Sequence, residues 1–348
     1  MGKGITGALI RNVIILVIAI LLAVIFSASI GAAKISFFDS AKVILSKLPF
    51  MSRIEAFSSY NLQDSIIILN IRLPRIVLSI VVGMALATAG VVFQSMFKNP
   101  MADPYVIGVS SGAALGATLS IILHLGTGVL GASSTSAFAF IGAMCTTAVV
   151  YRVARFKGKV GVYSLLLSGL AIGSLLSAGT SFLMLIGEHD LGKVFFWMLG
   201  SLSTSSWEKV IIAAPLAIAL FLATLFFTRD LNLFLMGEER AAQLGLDVER
   251  TKILLLILGS FIASVAVSVS GLISFIGLIT PHLVRLITGP NHKVLLPTSA
   301  LTGGLILLLS DTLARVVIAP RELPVGVITA ILGAPFFIYL LRRRYVSG

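Results

Sequence analysis

The sequence predicts an all-α membrane protein of about ten transmembrane helices, and three observations carry that prediction. The 348-residue chain is 57% hydrophobic and only 11% charged, with a mean hydropathy of +1.07, far from the balance of a water-soluble domain. Apolar runs of roughly 20 residues, enough at 1.5 Å each to cross a hydrocarbon layer about 30 Å thick, recur between charged or Gly/Pro breaks. Lysine and arginine are shared unequally between alternate connecting loops, the asymmetry that sets orientation. Residues 1–348 read as one transmembrane domain.

The first run, 9–31, is long and closely followed by lysines, without a small-residue cleavage site, so it reads as a retained helix. An outer loop, 32–73, leads to the second run, 74–97, which stops at "FKNPMADP", where Pro100 and Pro104 prevent a helix from continuing. The third, fourth and fifth runs cover 105–124, 134–154 and 162–186. Next, "VFFWMLGSLSTSSW" predicts a short outer helix with Trp197 and Trp207 at the interface. The sixth run, 210–228, precedes a charged loop, 229–252, and the seventh to tenth cover 253–271, 274–289, 297–319 and 325–342. Gly90 precedes Pro100, and Gly271 precedes Pro281, by the same interval, an echo compatible with inverted halves.

With the N-terminus inside, sixteen of the 26 basic residues fall on inner segments, and six of the outer ten are the five of the 32–73 loop and Arg75 just beyond it. Both termini and the 229–252 loop are therefore expected to face the cytoplasm. Within that loop, "GEERAAQLGLDVERTK" carries four of the chain's 14 acidic residues, interleaved with Arg240, Arg250 and Lys252. Ala241, Ala242, Leu244 and Leu246 among these charges suggest a short helix able to dock on a soluble partner. A solvated linker helix is the competing reading, because such charge pairs are common on exposed helices. Gly245 and Leu246 read as the turn that ends it.

A net charge of +12 could suggest nucleic acid, but no basic run is interleaved with aromatics, and loops beside membrane spans account for the excess. The one cysteine, Cys145, permits neither an internal disulfide nor a cysteine metal cluster. His124, His189, His282 and His292 are scattered and read as structural. "GEHDLGKV" has the glycine and lysine spacing of a phosphate-binding loop, but Val194 replaces the Ser or Thr and a membrane helix precedes it, so it is rejected. No convergent acid, base, nucleophile or metal set exists, so no catalytic residue and no bound cofactor are assigned. In the fifth run Ser164, Ser168, Ser174, Ser177, Thr180 and Ser181 recur near helical spacing with Gly169 and Gly173, a pattern of close packing or of a passage wall. Arg72 and Arg75 could be interfacial anchors. Asp311 and Arg315 stand four apart, acid first, as an ion pair inside a span. No further acids in the other long spans would serve a proton relay.

Five segments together resemble one family. "RLPRIVLSIVVGMALATAGVVFQSMFKNPMADPYVIGVSSGAALGA" (72–117), "WMLGSLSTSSW" (197–207), "GEERAAQLGLDV" (237–248), "ISFIGLITPHLVR" (273–285) and "SDTLARVVIAPRELPVGVITAILGAPFFIYLL" (310–341) occur in the order seen in permease subunits of iron-siderophore, haem and vitamin B12 ABC importers. The resemblance, to FecCD-type permeases of type II importers, implies a second permease copy, two ATPase subunits that hold ATP and magnesium, and a soluble or lipid-anchored binding protein. It places the chain in a bacterial inner membrane. It implies coupling to the ATPase through Glu238, Glu239, Arg240, Ala241, Gln243 and Gly245, and docking of the binding protein on Arg72, Arg75 and Arg315, with Arg321 as an extra candidate. It further implies a cytoplasmic gate at Asn99 and Met101, with the serines and Thr180 of the fifth run bordering the passage. The rival reading is a secondary transporter or channel, in which the charged inner loop is an ordinary linker.

Overall fold

All ten apolar runs are helical in the computed structural model, which describes residues 2–31, 33, 35–47, 61–125 and 131–346. Helix α1 (Gly2–Ser29) is followed by α2 (Phe37–Ser46) and α3 (Leu62–Ile66), which passes through one π-helical segment, Ile67–Arg72, into α4 (Leu73–Met96). A 3₁₀ turn, Pro104–Ile107, leads to α5 (Val109–Ile122), α6 (Gly131–Ala154) and a two-stranded hairpin, β1 (Arg155–Phe156) and β2 (Lys159–Val160). Then come α7 (Val162–Ile186), α8 (Leu191–Met198), α9 (Trp207–Phe226), α10 (Thr228–Phe234), α11 (Glu238–Gln243) and α12 (Val248–Ser270). The last three are α13 (Ile276–Thr288), α14 (His292–Ala314) and α15 (Val325–Val346). Among the described residues seven helices are long and apolar enough to cross a bilayer, and α5, α13 and α15 supply shorter apolar stretches.

The expected outer loop 32–73 is corrected in two places. Residues 37–46 form α2, begun by Ser36, whose side chain accepts the Phe38 N–H. The second membrane helix starts at Leu62, with Asn61 as its cap, because "SIIILNI" continues the apolar run through the arginines. Residues 48–60, which include Arg53, and Lys34 lie outside the described residues.

Helix α4 is the core of the bundle: 83% of its most apolar window is buried, against 17% for α7 and 6% for α1. It packs on α14, α12, α13 and α9. Glycine makes two of these crossings possible. A Cβ on Gly83 would overlap the backbone of Gly303, and one on Gly90 would overlap the carbonyl of Gly277. Backbones that touch in this way replace the hydrophobic drive that lipid cannot supply between apolar helices.

Gly90→Leu should therefore destabilise the fold by about 1–3 kcal/mol, the range for overpacking. Gly192→Ala, whose Cβ would meet nothing within 4 Å, should not. Thermal unfolding of the two purified variants checks this; equal melting temperatures would remove the close-crossing account.

Candidate functional site

The charged segment forms α11 at one end of the bundle. Gly237, at φ 106°, starts it, and Glu238 and Glu239 in its first turn complement the helix dipole. Gly245, at φ 87°, ends it: its N–H donates to the Ala242 carbonyl at 2.9 Å, and the Leu246 N–H to Ala241 at 3.0 Å. That paired closure is the Schellman pattern expected of a glycine there. Glu239, Arg240, Gln243, Leu244 and Gly245 face outward. Ala241 does not: it is fully buried, and so serves the docking of α11 on its own protein. Leu235, Met236 and Leu244 add an exposed apolar rim.

Glu238 is likewise turned inward. Its carboxylate accepts the Lys252 ammonium at 2.7 Å. Lys252, 7% exposed, also meets Glu249 at 3.4 Å and the Val160 carbonyl at 3.5 Å. Glu249 in turn accepts the Val160 N–H at 3.1 Å. One lysine thus ties α11, the first turn of α12 and the β1–β2 hairpin together. Lys252 and Glu238 also line a cavity of about 750 Å³ with Asn99, Met101 and Tyr163. The expected gate residues Asn99 and Met101 do meet: the Asn99 side chain accepts the Met101 N–H at 3.0 Å.

The loop bearing them is pinned from behind. Asp103 accepts the Tyr105 N–H at 2.8 Å, and the Tyr105 hydroxyl donates to the Ile273 carbonyl at 2.9 Å. The Asp103 carboxyl keeps some accessible surface, yet crowding by protein pushes it up to about 6.

At the opposite end, the structure gathers Arg72, Arg75 and Arg315 but turns them inward, with 5%, 8% and 6% of their surface exposed. Asp311, fully buried, accepts two Arg75 donors at 2.9 Å, and Arg315 stands 3.5 Å away. Arg315 also donates to the Ser27 hydroxyl at 2.6 Å and the Ile30 carbonyl at 3.0 Å. Arg72 donates to the carbonyls of Ala28 and Ala33. As surface docking residues Arg72 and Arg315 are corrected: their donors are spent on the end of α1. Asp311 likewise serves Arg75 first and Arg315 second, so the expected i,i+4 pair is only part of its role. Arg75 keeps one outward partner, Glu322, at 2.7 Å and with its side chain 42% exposed. Arg321 is exposed.

Helix α7 sorts its small residues by face. Gly169 and Gly173 are buried against the 3₁₀ turn and Ser111, as close packing requires. Ser164, Ser174, Ser177 and Ser181 are exposed and Ser168 partly so. Thr180 is a correction: it is 3% exposed and returns its hydroxyl to the Leu176 carbonyl, so it lines no open surface. Near α8, Lys193 bonds Asp190 at 2.8 Å and holds its carboxyl below the usual range, with His124 adding a 3.1 Å contact. The segment with phosphate-loop spacing is thus a 3₁₀ turn and helix after α7, its lysine engaged. Trp207 donates to the Leu69 carbonyl at 2.9 Å. His292 is fully buried between Ser95 and Asn232, a structural role.

Glu322 and the hairpin were not singled out from the sequence, and Lys252 and Glu249 were read only as charges of the inner loop. Glu249 and Glu322 reach partners 89 and 247 residues away, beyond any local pattern, whereas Lys252 lies 14 residues from Glu238 and three from Glu249.

Comparison with known proteins matches residues 16–343 to the FecCD transport family. The cobalamin import system permease protein BtuC of Halobacterium salinarum is 47% identical over 283 residues, covering 81% of this chain and 75% of that protein. The hemin transport system permease protein HmuU of Yersinia pestis is 41% identical, covering 79% and 83%. A solved metal-chelate type ABC transporter in an inward-facing conformation superposes with a TM-score of 0.82 at 30% identity, over 96% of this chain and 99% of that one.

Asp311→Ala should destabilise the fold by about 3–5 kcal/mol, since it strands two buried guanidinium groups. Glu322→Gln, at the exposed end of the same network, should cost no more than about 1 kcal/mol. Thermal unfolding of the two variants distinguishes them, and a similar loss in both would mean that the network is not organised around Asp311.

Proposed function

The chain belongs to the FecCD transport family and is the membrane permease subunit of an ABC importer, and from that premise we propose that it carries an iron-siderophore complex, haem or a corrinoid inward. ATP hydrolysis lies in a separate subunit, and a substrate-binding protein delivers the cargo. Relatives named for cobalamin and hemin support the cargo class. So does the exposed face of α7, where serines alternate with Leu167, Leu170 and Phe182. A surface so weakly polar suits a bulky load that must be released, unlike the dedicated cage of an ion filter.

In this reading two identical permeases meet across α7, two ATPase subunits hold ATP and magnesium, and both termini lie in the cytoplasm. Glu239, Arg240, Gln243, Leu244 and Gly245 face the ATPase, with Leu235 and Met236 beside them. The observation that carries the coupling role is the Lys252 node, which joins α11 to the hairpin and to the wall of the cavity that holds the proposed gate residues Asn99 and Met101. A packed element with few soft joints transmits such a displacement well. On the outer face, Arg321 and the outward arm of Arg75 are offered to the binding protein. An acidic residue from that protein would exchange with Glu322, and guanidinium suits such an exchange because it accepts carboxylates through parallel hydrogen bonds.

Two experiments test this. Vesicles containing the permease, its ATPase and loaded binding protein should accumulate cargo only with ATP. Leu244→Glu with Glu239→Lys should abolish ATPase capture, whereas Lys252→Met should retain capture and hydrolysis but lose at least tenfold in transport per ATP. Uptake against a gradient without nucleotide would instead establish a secondary transporter. Separately, Arg321→Glu should weaken binding-protein affinity, with the gap between variant and parent shrinking as salt screens exposed charge. Unchanged affinity at low salt would remove Arg321 from the docking surface.

A further inference from the structure

Helices α6 and α9 both pack on α12 but scarcely on each other, leaving a cleft floored by α12. Two adjoining cavities occupy it, of about 600 and about 440 Å³. They share Ser136, Lys209, Ser268 and Val269. The larger carries the hydroxyls of Thr135, Ser201, Ser203, Thr204 and Ser270 on an otherwise mostly apolar wall that includes Phe196 and Trp197 of α8, and Lys193, already paired with Asp190, also lines it. The smaller is almost wholly apolar, lined by Phe138, Phe140, Ile212, Leu216 and Val265. Phe138, Ile212 and Leu216 also lie on the exposed surface of these membrane helices.

Lys209 stands where the two cavities meet, and its setting lacks an anion. It donates to the Thr204 hydroxyl at 2.9 Å, and among the described residues no carboxylate stands within ion-pair distance of it. It also sits in the first turn of α9, where the helix dipole disfavours a positive charge. Glu208 is its chain neighbour, and adjacent residues on a helix do not face each other. A cation between a hydroxyl-lined chamber and a lipid-facing apolar slot matches one ligand chemistry: a negatively charged headgroup carrying acyl chains.

We infer that this cleft binds an anionic phospholipid, its phosphate on Lys209 and the surrounding hydroxyls, and one acyl chain in the slot between α6 and α9. The bound headgroup would touch α8 through the wall formed by Phe196 and Trp197. The apolar slot selects a lipid over free phosphate, because a free anion leaves the smaller cavity unfilled.

The full-length chain, delipidated in detergent, should retain phosphatidylglycerol roughly fivefold more strongly than phosphatidylcholine of the same chain length in native mass spectrometry, as expected of one lysine facing an anionic headgroup. Lys209→Gln should erase that preference and Lys209→Arg keep it. Leu216→Trp, which narrows the slot, should lower retention of both lipids. If inorganic phosphate displaced phosphatidylglycerol and Leu216→Trp left retention intact, the site would recognise the anionic group alone, and the acyl slot between α6 and α9 would be removed from the proposal. Equal retention of the two lipids by the parent chain, a comparison that requires no variant to fold, overturns the proposal.

Discussion

Asp311 binds two arginines from within a membrane helix, and the arrangement of one whole end of the protein follows from its charge. Hydrocarbon offers no partner to a polar group, so each ion there must be answered by another part of the chain. Arg75 meets Asp311 through parallel hydrogen bonds, and Arg315 lies on the other side of the same carboxylate. The remaining guanidinium donors then need acceptors. Those of Arg72 and the terminal nitrogens of Arg315 find them at the end of α1, where the helix leaves the carbonyls of Ser27, Ala28 and Ile30 unpaired, and Arg75 adds Glu322. Helices α1, α4 and α14 are therefore joined by what the desolvated charges require, and the Gly83–Gly303 crossing fixes how closely two of them approach.

The second node, at Lys252, is built on the same logic with a different outcome. Here the lysine is buried, but its partners Glu238 and Glu249 keep 36% and 32% of their side chains exposed. Water screens such a pair, so it contributes less stability than the Asp311 cluster. Its value lies in what it joins. Glu249 and Lys252 grip both backbone groups of Val160, so hairpin and helix share one anchorage. In the proposed coupling such a node beneath a surface helix would pass a push from the ATPase on to the hairpin, and its moderate stability would let that movement reverse.

The fold was largely legible because bilayer thickness imposes a length on every span, and length and hydropathy are local properties of sequence. The run that was misjudged shows the limit. Arg72 and Arg75 looked like the beginning of the second helix because charge usually marks an interface, whereas Asp311 and the carbonyls of α1 allow the helix to carry them inside and start at Leu62. Among the site residues, Gly245 was readable because a left-handed helix end has a residue preference. Ala241 and Thr180 were not, because small residues suit buried and exposed faces alike. Glu238 and Glu239 are neighbours of identical chemistry, and only the tertiary position of Lys252 turns one inward and leaves the other free to face a partner.

These two nodes lie at opposite ends of a bundle whose centre contains almost no charge. Between them α4, α12 and α14 pack closely, and close-packed helices shift as units because their contacts do not deform continuously. Helix α7 is the exception: its glycines hold one face against α5 and the 3₁₀ turn, while its serine face makes few contacts within the chain. In the proposed dimer that face of α7 is covered by the second copy, so a displacement at α11 meets stiff material along the core and an interface between chains along α7. Movement confined to that interface would change the proposed passage without breaking the charge cluster around Asp311. On the proposed coupling, the costly desolvated network around Asp311 would lie at the end that stays fixed and the screened one around Lys252 at the end that moves.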